Sequence, residues 1–371
     1  MIDRRRFLSG LAAGAAAAAL VPAATAAPTP ASATVAARVS ARGTGARYRP
    51  PSRLGLGGVP LAGAFKPTSN ADAQGALQAA WEGGVRYFDT SPWYGIGRSE
   101  RRMGQFLSEQ PRDQYVLSTK VGRLLKPGNP PQSKVWPEPP PFHREYDFSA
   151  AGVRRSVEDS MQRMGVDRLD VVFIHDLSPD NRDMGKRWTE YFEQARKGAM
   201  PELVRMREEG LIKAWGLGVN SIEPALRTLE VSDPDIFLSA TQYTLVRHEE
   251  SLRRLQPACA ARGVSLVIGS PLNVGFLCGV ERIDYLGTIT DELRQRRTRL
   301  DRIAREHGTD LRTAALQFAA APEVVSSVLV GARNAQQMRE DIASMQVRIA
   351  PAFWQQLKRE GLIAQEAPVP A

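Results

Sequence analysis

The chain has 371 residues, 24% of them charged and 7% aromatic, with 49 Lys and Arg against 40 Asp and Glu and only 2 cysteines. Such a length can bury roughly three quarters of its unfolded surface without covalent staples, and Cys259 and Cys278 neither build a disulfide scaffold nor have the spacing of a metal knuckle. The net charge of +9 raises nucleic acid as a partner, but Arg101-Arg102, Arg154-Arg155 and Arg294 to Arg299 are scattered through helical segments without interleaved stacking aromatics, which argues against it.

Taken in chain order, Met1 to Ala26 comes first. Arg4-Arg5-Arg6 precedes an apolar run from Phe7 to Val21, and Ala24-Thr25-Ala26 fits an A-x-A cleavage site. The run falls short of the ~20 residues of a membrane span. Arg4, Arg5, Phe7 and Leu8 resemble the twin-arginine export signal, whose machinery carries folded proteins. The expectation is a signal peptide over 1–26 and export in folded form to the periplasm or beyond, with no stable membrane span after cleavage. An uncleaved anchor or an Ala-rich tail is the alternative. These residues contain three arginines and one aspartate, so removing them lowers the net charge from +9 to +7. Residues 27–49 are rich in Ala, Pro, Thr, Ser and Arg without an apolar period and read as a linker.

From residue 50 to 371 a single domain is expected. Strands are predicted at Leu54–Gly58, Tyr87–Asp89, Tyr115–Lys120, Leu169–His175, Ala214–Val219, Ile236–Gln242, Ser265–Ser270 and Ser327–Val330. Their apolar content is continuous, as in parallel strands buried on both faces. Helices are predicted near Ala71–Glu82, Glu100–Ser108, Ala150–Met164, Met200–Glu209, Ile222–Leu229, Glu249–Arg262 and Asp291–His307, with Gly83-Gly84, Gly210 and Gly263 as stops. Eight strands alternating with helices predict an α/β fold, the (β/α)₈ TIM barrel. The rival is a doubly wound dinucleotide fold, but Gly55-Leu56-Gly57-Gly58 lacks the third glycine and meets Pro60 before any helix.

In such a barrel the chemistry sits at the carboxyl ends of the strands. The second strand ends in Asp89 with Tyr94 in the following loop, the third in Lys120, and the fourth in His175 and Asp176. Each alone is weak, since a strand-end Lys is usually salt-bridged and a loop Tyr usually packs. Together they form an acid–base set. An ammonium stabilises a phenolate, a carboxylate holds the ammonium, and an imidazole orients a substrate oxygen. That set suits protonation of the alkoxide formed when hydride reaches a carbonyl. No side chain supplies hydride, so a nicotinamide cofactor must.

Tyr87 to Gly95 (YFDTSPWYG), Gly97 to Glu100 (GRSE), Ser156 to His175, Gly216 to Ser221 (GLGVNS) and Ser327 to Asp341 (SVLVGARNAQQMRED) resemble, in order, the motifs of the aldo-keto reductase family. The resemblance spans about residues 50–365, and the subgroup most resembled is that of aldose and pyridoxal dehydrogenases. It implies Tyr94 as general acid–base, Lys120 lowering its pKa, Asp89 paired with Lys120, and His175 orienting the carbonyl or alcohol. It further implies Asn220 and Gln242 on the nicotinamide carboxamide and Ser270, Pro271 and Leu272 along the cofactor. Gly331, Ala332, Arg333, Gln337 and Asp341 would surround the adenosine end, with Arg333 meeting a 2′-phosphate. The chain departs from the family at three places: Gly269-Ser270-Pro271 in place of a strand-end aromatic, Asp341 in place of an Asn, and Val219 in place of a Ser. NADP is therefore the expected cofactor with NAD left open.

Arg123 to Phe148 is a long insertion with seven prolines and four aromatics. It is expected to be a lid whose Trp136, with Trp93, lines an apolar or sugar-stacking pocket for a carbonyl or sugar substrate. His143, His248 and His307 read as surface residues, Trp215 and Trp354 as packing, and the two cysteines as buried thiols; no cluster has metal-ligand spacing. Two other functions are considered. A secreted glycosidase needs two facing carboxylates roughly 5–10 Å apart, which strands ending in Gln242 and Gly269-Ser270 do not offer. A non-catalytic nucleotide-binding sensor or scaffold is disfavoured by the intact tetrad.

Overall fold

The computed structural model describes residues 47–370, so the signal peptide and nearly all of the linker expected over 1–49 lie outside the described residues. The barrel strands are β1 (Leu54–Gly57), β2 (Tyr87–Asp89), β3 (Val116–Val121), β6 (Val171–His175), β7 (Ala214–Val219), β8 (Ile236–Ala240), β9 (Ser265–Gly269) and β10 (Val325–Val330). They pair in parallel in that order, and β10 closes onto β1. The TIM barrel expected from the sequence is the architecture observed. Between β3 and β6 an antiparallel hairpin, β4 (Arg123–Pro127) and β5 (Phe142–Tyr146), stands outside the barrel.

The helices that clothe the barrel are α1 (Asn70–Glu82), α2 (Arg98–Leu107), α3 (Ala150–Met164), α4 (Trp188–Lys197), α5 (Ala199–Glu208), α6 (Glu223–Val231), α7 (Gln256–Ala261), α8 (Asp291–Glu306), α9 (Leu311–Ala320), α10 (Ala335–Ser344) and α11 (Pro351–Arg359). Ser69, Ser149, Thr290, Asp310 and Asn334 cap α1, α3, α8, α9 and α10, each accepting a backbone N–H three residues on, a bond worth about 1 kcal/mol apiece. The sequence shows no sign of α9, because LRTAALQFAA is apolar nearly all round and, Arg312 apart, buried, leaving no amphipathic period.

Side chains alternate faces along a strand, and two hydrophobic clusters sort by that parity. Val172 and Ile174 of β6 join the outer cluster beneath the helices, whereas Val171 and Phe173 join Tyr87, Val116, Ile236 and Leu329 inside the barrel. Tyr48 packs on this inner cluster, and its carbonyl accepts a hydrogen bond from Ser265 at the start of β9 (3.2 Å). Continued upward, the inner parity presents Gly57, Asp89, Lys120, His175, Gly218, Ala240 and Gly269 to the top of the barrel. Three consecutive strands thus bring polar groups, four others bring only glycine or alanine, and β10 brings Leu329.

Two expectations are corrected. His248 is buried rather than superficial: its ring lies against Tyr243 and Phe318, with Nδ1 3.1 Å from the Thr244 carbonyl and Nε2 accepting from Ala364 N at 3.0 Å. Cys278 is exposed, whereas Cys259 is buried as expected, and both thiols are free. Trp215 and Trp354 are fully buried packing residues.

Candidate active site

Asp89, Lys120 and His175 follow one another around the barrel rim because β2, β3 and β6 are neighbours. Asp89 Oδ2 accepts from Lys120 Nζ at 2.7 Å, and its Oδ1 accepts from Ser118 Oγ at 2.7 Å. Lys120 also donates to the Thr90 carbonyl (2.9 Å), which leaves one ammonium N–H, and Nζ stands 4.6 Å from the centroid of the Tyr94 ring. The Tyr94 ring meets the His175 ring edge-on, centroids 5.5 Å apart.

Tyr94 is held by its own loop. Its N–H donates to the Ser91 carbonyl, its carbonyl accepts from Ser99, and Gly97 N–H donates to Pro92. The loop is anchored from behind by Thr90 Oγ1 donating to Ser99 Oγ (2.8 Å). Fully buried Glu100 then accepts from Thr119 (2.9 Å) and Arg163 (2.5 Å). The Gly-Arg-Ser-Glu motif at 97–100 is therefore a brace that ties α2 to the strand ends beneath Tyr94.

Burial sets the protonation states. It pushes the Asp89 carboxyl up and the Lys120 ammonium down, with the partner's charge opposing each shift. Burial, followed by the Asp89 charge, holds the Tyr94 phenol well above its ordinary value, and Arg123 opposes this. At neutral pH Tyr94 is a protonated donor, and the lowering of its pKa by Lys120 that the family resemblance implied gives way here to burial and the neighbouring carboxylates. Burial, then the charges of Arg123 and Lys120, hold His175 well below its ordinary value, so the imidazole is neutral. Ser91 Oγ accepts the Trp93 N–H (3.1 Å) and lies 3.0 Å from His175 Nδ1. The network is complete when the Ser91 hydroxyl donates to Nδ1, which leaves the ring proton on Nε2, 3.6 Å from Asp176 Oδ2.

The tetrad lines a cavity of about 910 Å³ whose lining also includes Arg312, Gly331, Arg333, Gln337 and Asp341. That volume is at the top of the range for small-molecule sites and has room for a dinucleotide beside a small substrate. Asn220, Ser270, Pro271 and Leu272 line it, as do Trp93 and Trp136. Gln242 and Ala332 do not. Gln242 donates to the Asn220 carbonyl at 2.6 Å and braces that residue from outside the lining, and Ala332 is fully buried in the outer core. The Asn220 amide donates to Asp180 at 3.0 Å. Arg333 donates to the carbonyls of Lys66 (2.9 Å) and Ala64 (2.5 Å) and to Thr68 Oγ1 (3.0 Å), clamping the loop after β1.

Three lining residues share one backbone feature. Asp176, Thr241 and Ser270 each follow a barrel strand with φ of 44°, 62° and 51°, a left-handed conformation that costs non-glycine residues about 1–3 kcal/mol and gathers at working sites. Asp176 pairs with Arg123 at 3.0 Å. Tyr285, also at positive φ, lies 3.1 Å from Ser270 Oγ and lines the cavity. Of these, Asp176 and Ser270 carry sequence signals, as strand-end residues, whereas Thr241 and Tyr285 carry none. Asp89 and Asp176 are each paired with a cation, which does not suit the free acid and base that glycoside hydrolysis needs.

The insertion after β3 is docked over this cavity. Trp136 is 4% exposed and packs edge-on against Trp93 (6.2 Å) and tilted against Tyr94 (6.3 Å), while Phe65 N–H holds the Val135 carbonyl at 2.7 Å. Replacing residues 129–140 by an Asn-Gly turn, which preserves β4 and β5, is expected to raise KM for aldehydes about tenfold or more, because Trp136 supplies one wall. Steady-state kinetics unchanged by the replacement would remove the lid role.

Asp341 is buried, and desolvation pushes its carboxyl up to about 7, with Arg312 (4.0 Å) opposing. Between its ordinary value and about pH 7 the folded state holds a proton that the unfolded chain releases, so stability falls as pH rises through this window and is flat above it. Asp341→Asn removes the titration. Its melting temperature relative to the parent should therefore be higher at pH 8 than at pH 5, by the equivalent of ~2–3 kcal/mol. Parallel Tm curves over that range would contradict the assignment.

Comparison with known proteins agrees with this geometry. The model of the aldo/keto reductase family matches residues 53–360. D-threo-aldose 1-dehydrogenase of a Pseudomonas species is 35% identical over 322 residues, covering 84% of this chain and 94% of that enzyme. Pyridoxal 4-dehydrogenase of Microbacterium luteolum is 36% identical over 330 residues, with the same coverage of 84% and 94%. Among solved structures, an aldo-keto reductase of Bacillus halodurans superposes with a TM-score of 0.63 at 22% identity, covering 88% of this chain and 98% of that one, a likeness of fold.

Proposed function

The chain belongs to the aldo/keto reductase family and is a nicotinamide-dependent oxidoreductase that interconverts carbonyls and alcohols; from that premise we propose that Tyr94 is its proton donor and acceptor, that His175 aims the substrate oxygen, and that NADP is the preferred cofactor. The observation that carries the assignment is the buried Asp89–Lys120 pair, 2.7 Å apart, beneath the Tyr94 ring. When bound, the cofactor supplies or accepts the hydride. Asn220 and Ser270 would hold its nicotinamide end, with Gln242 bracing Asn220, and Gly331, Gln337 and Asp341 would hold the adenosine end.

His175 Nε2–H and the Tyr94 hydroxyl are two donors on residues that line the cavity, suited to a single carbonyl oxygen as it gains charge. Tyr94 then gives up its proton, and the Lys120 ammonium stabilises the phenolate left behind. A guanidinium has five N–H donors, so Arg333 keeps donors for a 2′-phosphate after binding Ala64, Lys66 and Thr68; Arg282 and Arg312 add positive charge along the same wall. Titration with NADPH and with NADH, followed by nucleotide fluorescence, tests the reading: tighter binding of NADPH is expected, and no emission change with either would overturn it.

Direction follows from the phenol. Because Tyr94 is protonated at neutral pH, carbonyl reduction is expected to be nearly flat from pH 6 to 8, whereas alcohol oxidation, which needs the phenolate, should rise towards pH 10. Oxidation that peaks below pH 7 would contradict Tyr94 as the base. Residues 1–26 support a further part of the proposal, export in folded form through the twin-arginine machinery. Replacing Arg4 and Arg5 by lysine in the full chain should then retain the protein in the cytoplasm.

A further inference from the structure

Most arginines that line the catalytic cavity are neutralised. Arg123 pairs with Asp176 (3.0 Å), Arg144 with Asp183, Arg247 with Asp284 (2.6 Å) and Arg312 with Glu340 (2.5 Å). Arg282 and Arg333 differ. Both line the cavity and are half-buried, yet their hydrogen bonds go to neutral acceptors alone. Arg282 donates from Nε and Nη2 to the Val274 carbonyl (3.2 and 3.1 Å). Arg333 donates to the carbonyls of Ala64 and Lys66 and to Thr68 Oγ1.

The two guanidinium groups meet on one short stretch of chain. Arg333 grips the carbonyls on either side of Phe65, and the Arg282 guanidinium carbon stands 4.1 Å from the centroid of the Phe65 ring. Phe65 is itself fixed, at φ 62° with its N–H on the Val135 carbonyl (2.7 Å). Burial and then the Arg282 charge lower Arg333, burial lowers Arg282, and no described carboxylate offsets either. Donors remain on both. Arg333 Nε and Arg282 Nη1 have no partner among the described residues, and unlike Arg123 Nε and Nη1 they keep accessible surface.

Two like charges held together in a partly dehydrated wall are unfavourable until an anion joins them. A phosphate monoester carries about −1.5 to −2 at neutral pH on three terminal oxygens, which matches two forked cations. A carboxylate, or either phosphorus of a dinucleotide's diphosphate bridge, carries a single charge. Accepting the reading above, in which Gly331, Gln337 and Asp341 hold the adenosine end of the cofactor, we propose that Arg282, from the loop after β9, forms a phosphate-monoester subsite with Arg333 and is the residue that makes the enzyme choose NADP over NAD. The choice then depends on two loops that meet only in the folded chain.

Calorimetric titration with adenosine 2′,5′-bisphosphate and adenosine 5′-monophosphate, which differ only in the 2′-phosphate, tests this without turnover. The parent should bind the bisphosphate about tenfold to a hundredfold more tightly, the range set by charge-assisted hydrogen bonds. Arg282→Gln should lower that ratio about tenfold while leaving the monophosphate within about twofold. Arg282→Lys, which keeps a charge over Phe65, should hold the ratio within about threefold of the parent. NADPH and NADH, followed by nucleotide fluorescence, should repeat the pattern. An equal loss for both ligands of a pair would assign Arg282 to the diphosphate or to bracing Phe65, and would overturn the subsite. A preference for the bisphosphate that survives Arg282→Gln would also overturn it, while leaving NADP to Arg333 and the reading above intact. If neither NADPH nor NADH binds, the oxidoreductase reading fails, and the two adenosine phosphates still decide the subsite.

Discussion

Tyr94→Phe is expected to lower kcat for aldehyde reduction about a thousandfold while leaving nucleotide binding within a factor of two or three. Phenylalanine keeps the ring, its edge-on contact with His175 and its place over the Lys120 ammonium. Only the hydroxyl is lost, and with it the proton that the alkoxide needs. Positioned general acids contribute about 10²–10⁴ in rate, and a thousandfold corresponds to about 4 kcal/mol of transition-state stabilisation. Two measurements decide the matter together: single-turnover reduction, and fluorescence titration of the same variant. A loss below tenfold would remove Tyr94 from the chemistry. A large loss accompanied by weakened nucleotide binding would point to a collapsed cavity instead.

Lys120→Met should damage both folding and catalysis. The ammonium is buried and bonded to Asp89 and the Thr90 carbonyl, so its removal strands an unpaired carboxylate at the top of the barrel. Breaking one side of a buried pair typically costs about 3–5 kcal/mol. Activity should fall at least a hundredfold, since the phenolate formed at Tyr94 loses its adjacent positive charge. The double variant Lys120→Met/Asp89→Leu separates the two effects, because it leaves no uncompensated charge. Its thermal stability should recover most of the loss and its activity should not. If both recover together, the lysine acts only as a structural partner of Asp89.

The tetrad was legible because strand parity and barrel topology act on single residues. Once β2, β3 and β6 are neighbours, Asp89, Lys120 and His175 must share the inner face at the same end, and the loop leaving β2 carries Tyr94 above them. The hairpin β4–β5 was harder. Arg123–Pro127 follows β3 after one glycine and reads as its continuation, and the prolines between the two strands suggest irregular chain. The role of the Gly-Arg-Ser-Glu motif was also hidden, for nothing local reveals that Glu100 is buried against Thr119 and Arg163. His248 misled for the same reason: its partners Phe318 and Ala364 lie far along the chain.

The 371 residues by themselves determined the alternation of strands and helices, the barrel that follows from it, and the residue types gathered at its rim, because these depend on apolar period, turn chemistry and side-chain direction along each strand. The tertiary structure alone decided which donors are satisfied and which are not. It set Arg333 against the carbonyls of Ala64 and Lys66, moved Gln242 behind Asn220, raised Tyr94 and lowered His175 through burial, and paired Arg123 with Asp176 and Arg144 with Asp183 at the cavity rim. Protonation and hydrogen-bond balance depend on which distant segments exclude water from a group, and that information arises only when the chain has closed around it.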